Sequence, residues 1–133
     1  YKENDVEPVE LDDLLARADI ISLHLPLNSS TKNIINKEKF SLIQEHAILI
    51  NYARGGLIDE ACLKSKIFEK TIGGVALDVL EIEPPLCNEL SHMENVFITP
   101  HIGGSSEEAI YAMGLSAIEG LKNAKDPLSF LLK

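Results

Sequence analysis

Ala47-Ile48-Leu49-Ile50-Asn51-Tyr52-Ala53-Arg54-Gly55-Gly56 decides how the rest of the chain is read. The apolar run reads as a buried strand, and the Arg54-Gly55-Gly56 turn stops it. Asp59 then stands where it can cap a helix over residues 60–69. Gly73-Gly74 breaks the chain again, into a second apolar strand, Val75-Ala76-Leu77-Asp78-Val79. Strand, helix and strand in immediate succession form a unit whose two strands run parallel.

The same alternation extends both ways. Upstream, Leu11, Leu14 and Leu15 have helical spacing and predict a short helix over 11–17. Asp19-Ile20-Ile21-Ser22-Leu23-His24-Leu25 reads as a buried strand ended by Pro26. Asn28-Ser29-Ser30-Thr31 reads as a loop, and Asn36 as the cap of a helix over 37–43. Downstream, a loop containing Pro84-Pro85 leads to a fourth strand, Val96-Phe97-Ile98-Thr99. Ser105 and Glu108 then have the capping-box spacing that opens a long helix to about Asn123. Strands that are apolar throughout, alternating with helices, imply an α/β fold: a parallel sheet with helices on both faces. Residues 1–10 read as an acidic N-terminal loop. Residues 124–133 read as an apolar C-terminal tail without a partner in the pattern.

Composition narrows the function. The chain has 133 residues, 45% of them hydrophobic, enough for one domain with its own core. It carries 12 Lys plus Arg against 21 Asp plus Glu, a net charge of −9. That balance excludes nucleic acid and an anionic membrane surface as partners, because both require clustered basic charge. No apolar run approaches the roughly 20 residues that span a bilayer. The acidic opening, with Glu3, Asp5, Glu7 and Glu10, does not read as a signal peptide. Cys62 and Cys87 stand far apart and outside any Cys-x-x-Cys pattern. They read as reduced thiols of a cytoplasmic protein.

Three strand ends carry chemistry. Arg54 offers a planar guanidinium that matches a carboxylate bidentately, and Gly55 and Gly56 let the backbone turn and a ligand come close. Asp78 ends an otherwise apolar strand, so it must be paired, hydrogen-bonded or functional. Glu81 and Glu83 follow in the proline-ended loop, and Glu83 is biased to an extended backbone by Pro84. His101, in Thr99-Pro100-His101-Ile102-Gly103-Gly104-Ser105, is the natural proton carrier near neutral pH. His46 and His92 lack such a setting and read as structural. No His-x-x-x-His or Cys-x-x-Cys spacing supports a metal site.

Four motifs in order resemble the D-isomer-specific 2-hydroxyacid dehydrogenase family, in its nicotinamide-binding domain: Asp19-Ile-Ile-Ser-Leu-His24-Leu-Pro26-Leu, Ile50-Asn-Tyr-Ala-Arg54-Gly-Gly, Ala76-Leu-Asp78-Val-x-x-x-Glu83-Pro84 and Thr99-Pro-His101-Ile-Gly-Gly-Ser105. The resemblance runs from about Leu11 to Gly120. It implies a partial Rossmann-like fold, the second part of a nucleotide-binding domain. The catalytic trio it implies is Arg54, Glu83 and His101. The cofactor contacts it implies are His24, Leu25, Pro26, Tyr52, Ala53, Arg54, Asp78, His101, Gly103 and Gly104. The implied cofactor is NAD, with NADP left open, and the implied substrate a small 2-hydroxy or 2-oxo acid of the 3-phosphoglycerate dehydrogenase or hydroxypyruvate/glyoxylate reductase type. A homodimer is implied for the full-length protein. Glu83 separates the chain from the formate dehydrogenase branch, which resembles it but places glutamine beside the histidine.

The family's Gly-x-Gly-x-x-Gly fingerprint is absent from these residues, and neither Gly55-Gly56 nor Gly103-Gly104 has its spacing. The reading is therefore of a truncated cofactor domain whose ribose-binding acid is expected before Tyr1. Alone it is expected to bind NAD weakly and not to turn over. An NAD-sensing interaction module, resembling the corepressors of the same family, is the alternative function.

Overall fold

The computed structural model describes residues 6–85 and 89–124. Glu3 and Asp5, Cys87 and residues 125–133 of the expected tail lie outside them. The chain forms two compact units that divide after His101.

The first unit is built on four parallel strands: β1 (Ile20–Leu23), β2 (Ile48–Asn51), β3 (Gly74–Leu77) and β4 (Val96–Ile98). They pair in chain order, β1-β2-β3-β4. The register aligns their far ends, with Leu23 opposite Asn51, Asn51 opposite Leu77, and Leu77 opposite Ile98. This is the α/β, Rossmann-like arrangement that the alternating pattern predicts. β1 and β4 are shorter than their apolar runs, because Asp19, His24 and Thr99 fall outside the ladder.

Three helices connect or precede the strands: α1 (Leu11–Arg17), α2 (Lys37–Phe40) and α3 (Glu60–Phe68). The expected caps are in place. The Asn36 side chain accepts from the Lys39 N–H at 3.0 Å, and Asp59 accepts from the Cys62 N–H at 3.0 Å. In α1, Asp12 and Asp13 sit in the first turn and Arg17 in the last, the sense that complements the helix dipole. α2 ends at Phe40, short of the expected 43, and the Ser41 hydroxyl caps it by donating to the Glu38 carbonyl at 2.5 Å. Short 3-10 turns at Gly55–Leu57 and Glu89–His92, not foreseen from the pattern, complete the unit.

The core lies on one face of the sheet. Ile21, Leu49 and Val75 share one row and point inward. They form a buried cluster with Leu15 of α1, Phe40 of α2, and Leu63 and Ile67 of α3. Each such side chain contributes about 1.5–3 kcal/mol by leaving water. Along the opposite face, Ile20, Ile48 and Phe97 are 63%, 42% and 67% exposed. Within this unit, the described helices therefore cover one face of the sheet.

The second unit is described from Ile102 to Ala124 and contains α4 (Glu107–Lys122). Its cap is Ser106, whose hydroxyl accepts from the Ala109 N–H at 3.2 Å. The expected cap, Ser105, is corrected by one residue: the Ser105 N–H donates to the Ile102 carbonyl at 2.9 Å, closing a turn that delays the helix.

Candidate active site

The aligned strand ends set up the site. One residue past the last row stand His24, Tyr52, Asp78 and Thr99. Two of them bond to the neighbouring strand just past the ladder: the Asp78 N–H donates to the Asn51 carbonyl and the Thr99 N–H to the Leu77 carbonyl, each at 2.9 Å. Neighbours in this row touch in pairs. His24 and Tyr52 meet edge to face with ring centroids 5.0 Å apart. The Tyr52 hydroxyl lies 3.2 Å from His24 Nδ1 and the Ser22 hydroxyl 3.0 Å from Nε2. Asp78 is only 8% exposed and accepts from the Thr99 hydroxyl at 2.5 Å. A buried carboxylate needs such a partner, which explains an acid at the end of an apolar strand. Leu25 and Pro26 are exposed beyond β1, and the Thr31 hydroxyl donates to the Pro26 carbonyl at 2.6 Å, folding that loop back.

Arg54 is exposed, and a buried side chain shapes its loop. Asn51, 1% exposed, donates through Nδ2 to the Arg54 carbonyl at 2.9 Å. Its Oδ1 accepts from the Ala53 N–H at 3.1 Å. The Arg54 Nη1 donates to the Ala53 carbonyl at 2.6 Å. The glycines that follow serve space rather than conformation, since among the described residues no glycine has positive φ. A Cβ on Gly55 would lie 2.0 Å from the Leu80 carbonyl carbon and oxygen. One on Gly56 would lie 3.1 Å from the Leu27 side chain. The room expected for a ligand at Gly55 is filled by the loop after β3.

That loop carries Glu83. Its Oε1 accepts from the Leu80 N–H at 2.8 Å, and its Oε2 lies 2.6 Å from His101 Nδ1. The hydrogen bond from His101, and then that from Leu80, hold the Glu83 carboxyl below the usual glutamate range. They outweigh desolvation and the nearby Asp78 charge. His101 has φ 54°, a left-handed conformation that histidine adopts more readily than most residues. Its N–H donates to the Thr99 carbonyl at 3.0 Å, so Thr99-Pro100-His101 forms a tight turn that fixes the ring beside Glu83. Asp78, Glu83 and His101 line one cavity of about 540 Å³, whose other walls include Leu80, Pro84, Ile98 and Pro100. Such a cavity can hold a flat, partly apolar ring next to a proton carrier.

Arg54 is not among the lining residues, but its loop reaches the Glu83 loop through the Gly55–Leu80 contact. Gly103 and Gly104 lie in the turn that begins the second unit. Glu81 is exposed, as expected of a loop acid, and donates its N–H to the Glu60 Oε1 at 2.5 Å. His46 pairs with Asp19 at 2.7 Å, and His92 ends a 3-10 turn. Among the described residues, no three His, Cys, Asp or Glu gather to hold a metal ion, and no helix is long and apolar enough to cross a membrane. Asn51, Thr99 and Glu60 belong to the site's framework, and sequence reasoning passed over them as site residues. A polar residue ending an apolar strand was the available signal for Asn51, the same signal that singles out Asp78.

Residues 1–103 match the family model for the D-isomer specific 2-hydroxyacid dehydrogenase, NAD binding domain. The chain is 46% identical over 113 residues to a D-3-phosphoglycerate dehydrogenase of Methanocaldococcus jannaschii, covering 85% of this chain and 22% of that protein. It is 42% identical over 117 residues to a hydroxypyruvate reductase of Thermotoga maritima, covering 86% of this chain and 38% of that protein. Among solved structures, an acyclic imino acid reductase in complex with NADPH and D-Arg superposes with a TM-score of 0.82 at 36% identity. That superposition covers 86% of this chain and 36% of the reductase. The chain thus spans well under half the length of these relatives, and over that span it belongs to the D-isomer specific 2-hydroxyacid dehydrogenase family, matching its NAD binding domain.

Proposed function

We propose that the protein carrying this chain is an NAD-dependent oxidoreductase acting on the CH–OH group of a D-2-hydroxy acid, with Arg54, Glu83 and His101 as its catalytic residues. The observation that carries the reading is the Glu83–His101 hydrogen bond in the lining of the cavity past the strand ends. The names of the two relatives favour a 3-phosphoglycerate dehydrogenase or a hydroxypyruvate/glyoxylate reductase type.

The cavity fits the nicotinamide end of the cofactor, with proline and aliphatic walls against the ring and the buried Asp78 beside it. Bound there, the cofactor supplies a ring carbon that accepts or gives a hydride. His24, Leu25, Pro26, Tyr52, Ala53, Asp78, Gly103 and Gly104 are the further residues assigned to its binding. The glycine fingerprint for the pyrophosphate is not in this sequence. In this reading, residues 1–133 form the second part of a nucleotide-binding domain in a longer, cytoplasmic, homodimeric protein. NADP remains an alternative cofactor, as in the imino acid reductase.

The chain's own residues account for the proton and the charge. Arg54 clamps the substrate carboxylate through its planar fork. The Nδ1 of His101 is engaged by Glu83, which leaves Nε2 to take the hydroxyl proton in oxidation and return it in reduction. Glu83, ionised across the neutral range, fixes the tautomer and stabilises the imidazolium. Arg54→Ala in the intact protein tests the enzyme against the NAD-sensing module. An enzyme should lose turnover of 2-oxo acids by about 100-fold or more while NADH binding, read by fluorescence, persists. Turnover at the unaltered rate overturns the assignment.

A further inference from the structure

The loop that presents Glu83 is held by a residue of a different element. The two peptide units that flank Leu80 are held at three points. The Leu80 N–H is taken by the Glu83 carboxylate at 2.8 Å, and the Leu80 carbonyl rests on Gly55. The Glu81 N–H is taken by Oε1 of Glu60 at 2.5 Å. Glu60 lies in the first turn of α3, 21 positions upstream, directly after the Asp59 cap. Through that one bond, α3 is tied to the turn whose far end is the Glu83–His101 pair.

We propose that Glu60 is a positioning residue: its carboxylate anchors the Leu80–Glu81 peptide and so aims Glu83 at His101. The inference rests on the reading of Glu83 and His101 given above. Glu60 is not among the residues that line the cavity. What the interaction needs is an acceptor of the right length. A charged acceptor on a backbone N–H gives one of the stronger single hydrogen bonds, and losing it frees the turn rather than emptying the core.

Two substitutions separate anchoring from charge. Glu60→Ala removes the acceptor and a negative charge. Glu60→Gln removes the same charge but keeps an oxygen at the same reach. The first readout is the titration of the Glu83 carboxyl, followed by 13C NMR in the chain. The groups around it are His101 from beyond β4, Asp78 at the end of β3, Glu60 of α3, and Glu81 in its own loop. Loss of a neighbouring negative charge alone lowers an acid's pKa. A rise in Glu60→Ala therefore signals that Glu83 has lost its hydrogen bonds to Leu80 and His101. The second readout is kinetic, in the intact protein with NADH and whichever of hydroxypyruvate and glyoxylate it reduces faster. In Glu60→Ala, kcat is expected to fall about tenfold and the KM for NADH to stay within twofold. Glu60→Gln should stay close to the unaltered protein in both readouts.

An unmoved Glu83 titration in Glu60→Ala, or a Gln variant as impaired as the Ala variant, overturns the proposal. If Glu83 already titrates as an ordinary glutamate in the unaltered protein, or if Glu83→Ala keeps full kcat, the functional reading itself fails and this inference falls with it. A depressed Glu83 that ignores Glu60 removes only the anchor.

Discussion

Gly55 lies against the backbone of Leu80 so closely that a Cβ there would stand 2.0 Å from the carbonyl carbon and oxygen. The contact joins the loop bearing Arg54 to the loop bearing Glu83. Since it is backbone against backbone, no side chain can swing away to relieve it. Gly55→Ala is expected to lower stability by about 1–3 kcal/mol and to spread the two loops. Gly74→Ala is the control. There the nearest atoms would lie at 3.6 and 3.9 Å, which is ordinary contact. Urea unfolding of both variants checks the pair, and equal midpoints would show that the Gly55 contact is soft.

Glu83→Gln should slow the proposed reaction. In that reading His101 returns a proton to the substrate, and the Glu83 carboxylate 2.6 Å from its Nδ1 holds the ring for that task. Glutamine keeps the side chain's length but not the charge of the acceptor, so kcat for reduction is expected to fall about tenfold while the KM for NADH stays within twofold. An unchanged kcat removes Glu83 from the role.

The same residue predicts an acid dependence of stability. The Glu83 carboxyl is held below its ordinary range in the folded state, chiefly by the hydrogen bond from His101. A group with a lowered folded pKa stabilises the fold above its unfolded value, about 4.3. That contribution is lost as the pH falls through the folded value. Glu83→Gln should therefore be less stable than the unaltered chain at pH 7, with the difference closing as the pH drops below about 4. Thermal unfolding at the two pH values would show it. A constant difference would mean that the bond is not charge-assisted.

The strands and caps were legible because they are local. Apolar runs bounded by Pro26, Gly55 or Gly73 leave few other readings, and Asn36 and Asp59 cap the helices they precede. The start of α4 was misplaced by one residue because Ser105 and Ser106 both suit a cap. A carbonyl at Ile102, which no periodicity reveals, decides between them. The alternation of aliphatic strands with helices implied the parallel α/β sheet that β1 to β4 form. At the site, residue types and order pointed to Arg54, Glu83 and His101. What sequence could not show was the framework that brings them to one edge. Gly55 meets Leu80 and Glu60 meets Glu81 across more than twenty positions, and such contacts leave no spacing signature.

Asn51 makes the sharpest test of that framework. Its buried amide donates to the Arg54 carbonyl and accepts from the Ala53 N–H, so it needs both a donor and an acceptor. Asn51→Ala leaves both backbone groups without this partner and should cost about 1–3 kcal/mol. In the proposed reaction it should also raise the KM for the 2-oxo acid, since the Arg54 loop loses this tie. Asn51→Asp keeps the acceptor but sets a carboxylate oxygen against the Arg54 carbonyl, at a position 1% exposed. Burial and that facing lone pair both disfavour the charged form, so the aspartate pKa should rise, and only the protonated acid can donate as the amide does. Asn51→Asp should thus be more damaging than Asn51→Ala at pH 7 and should recover part of its stability near pH 5. Parallel denaturant curves at the two pH values decide this. A variant equally unstable at both would show that the Arg54 carbonyl does not depend on a donor from position 51.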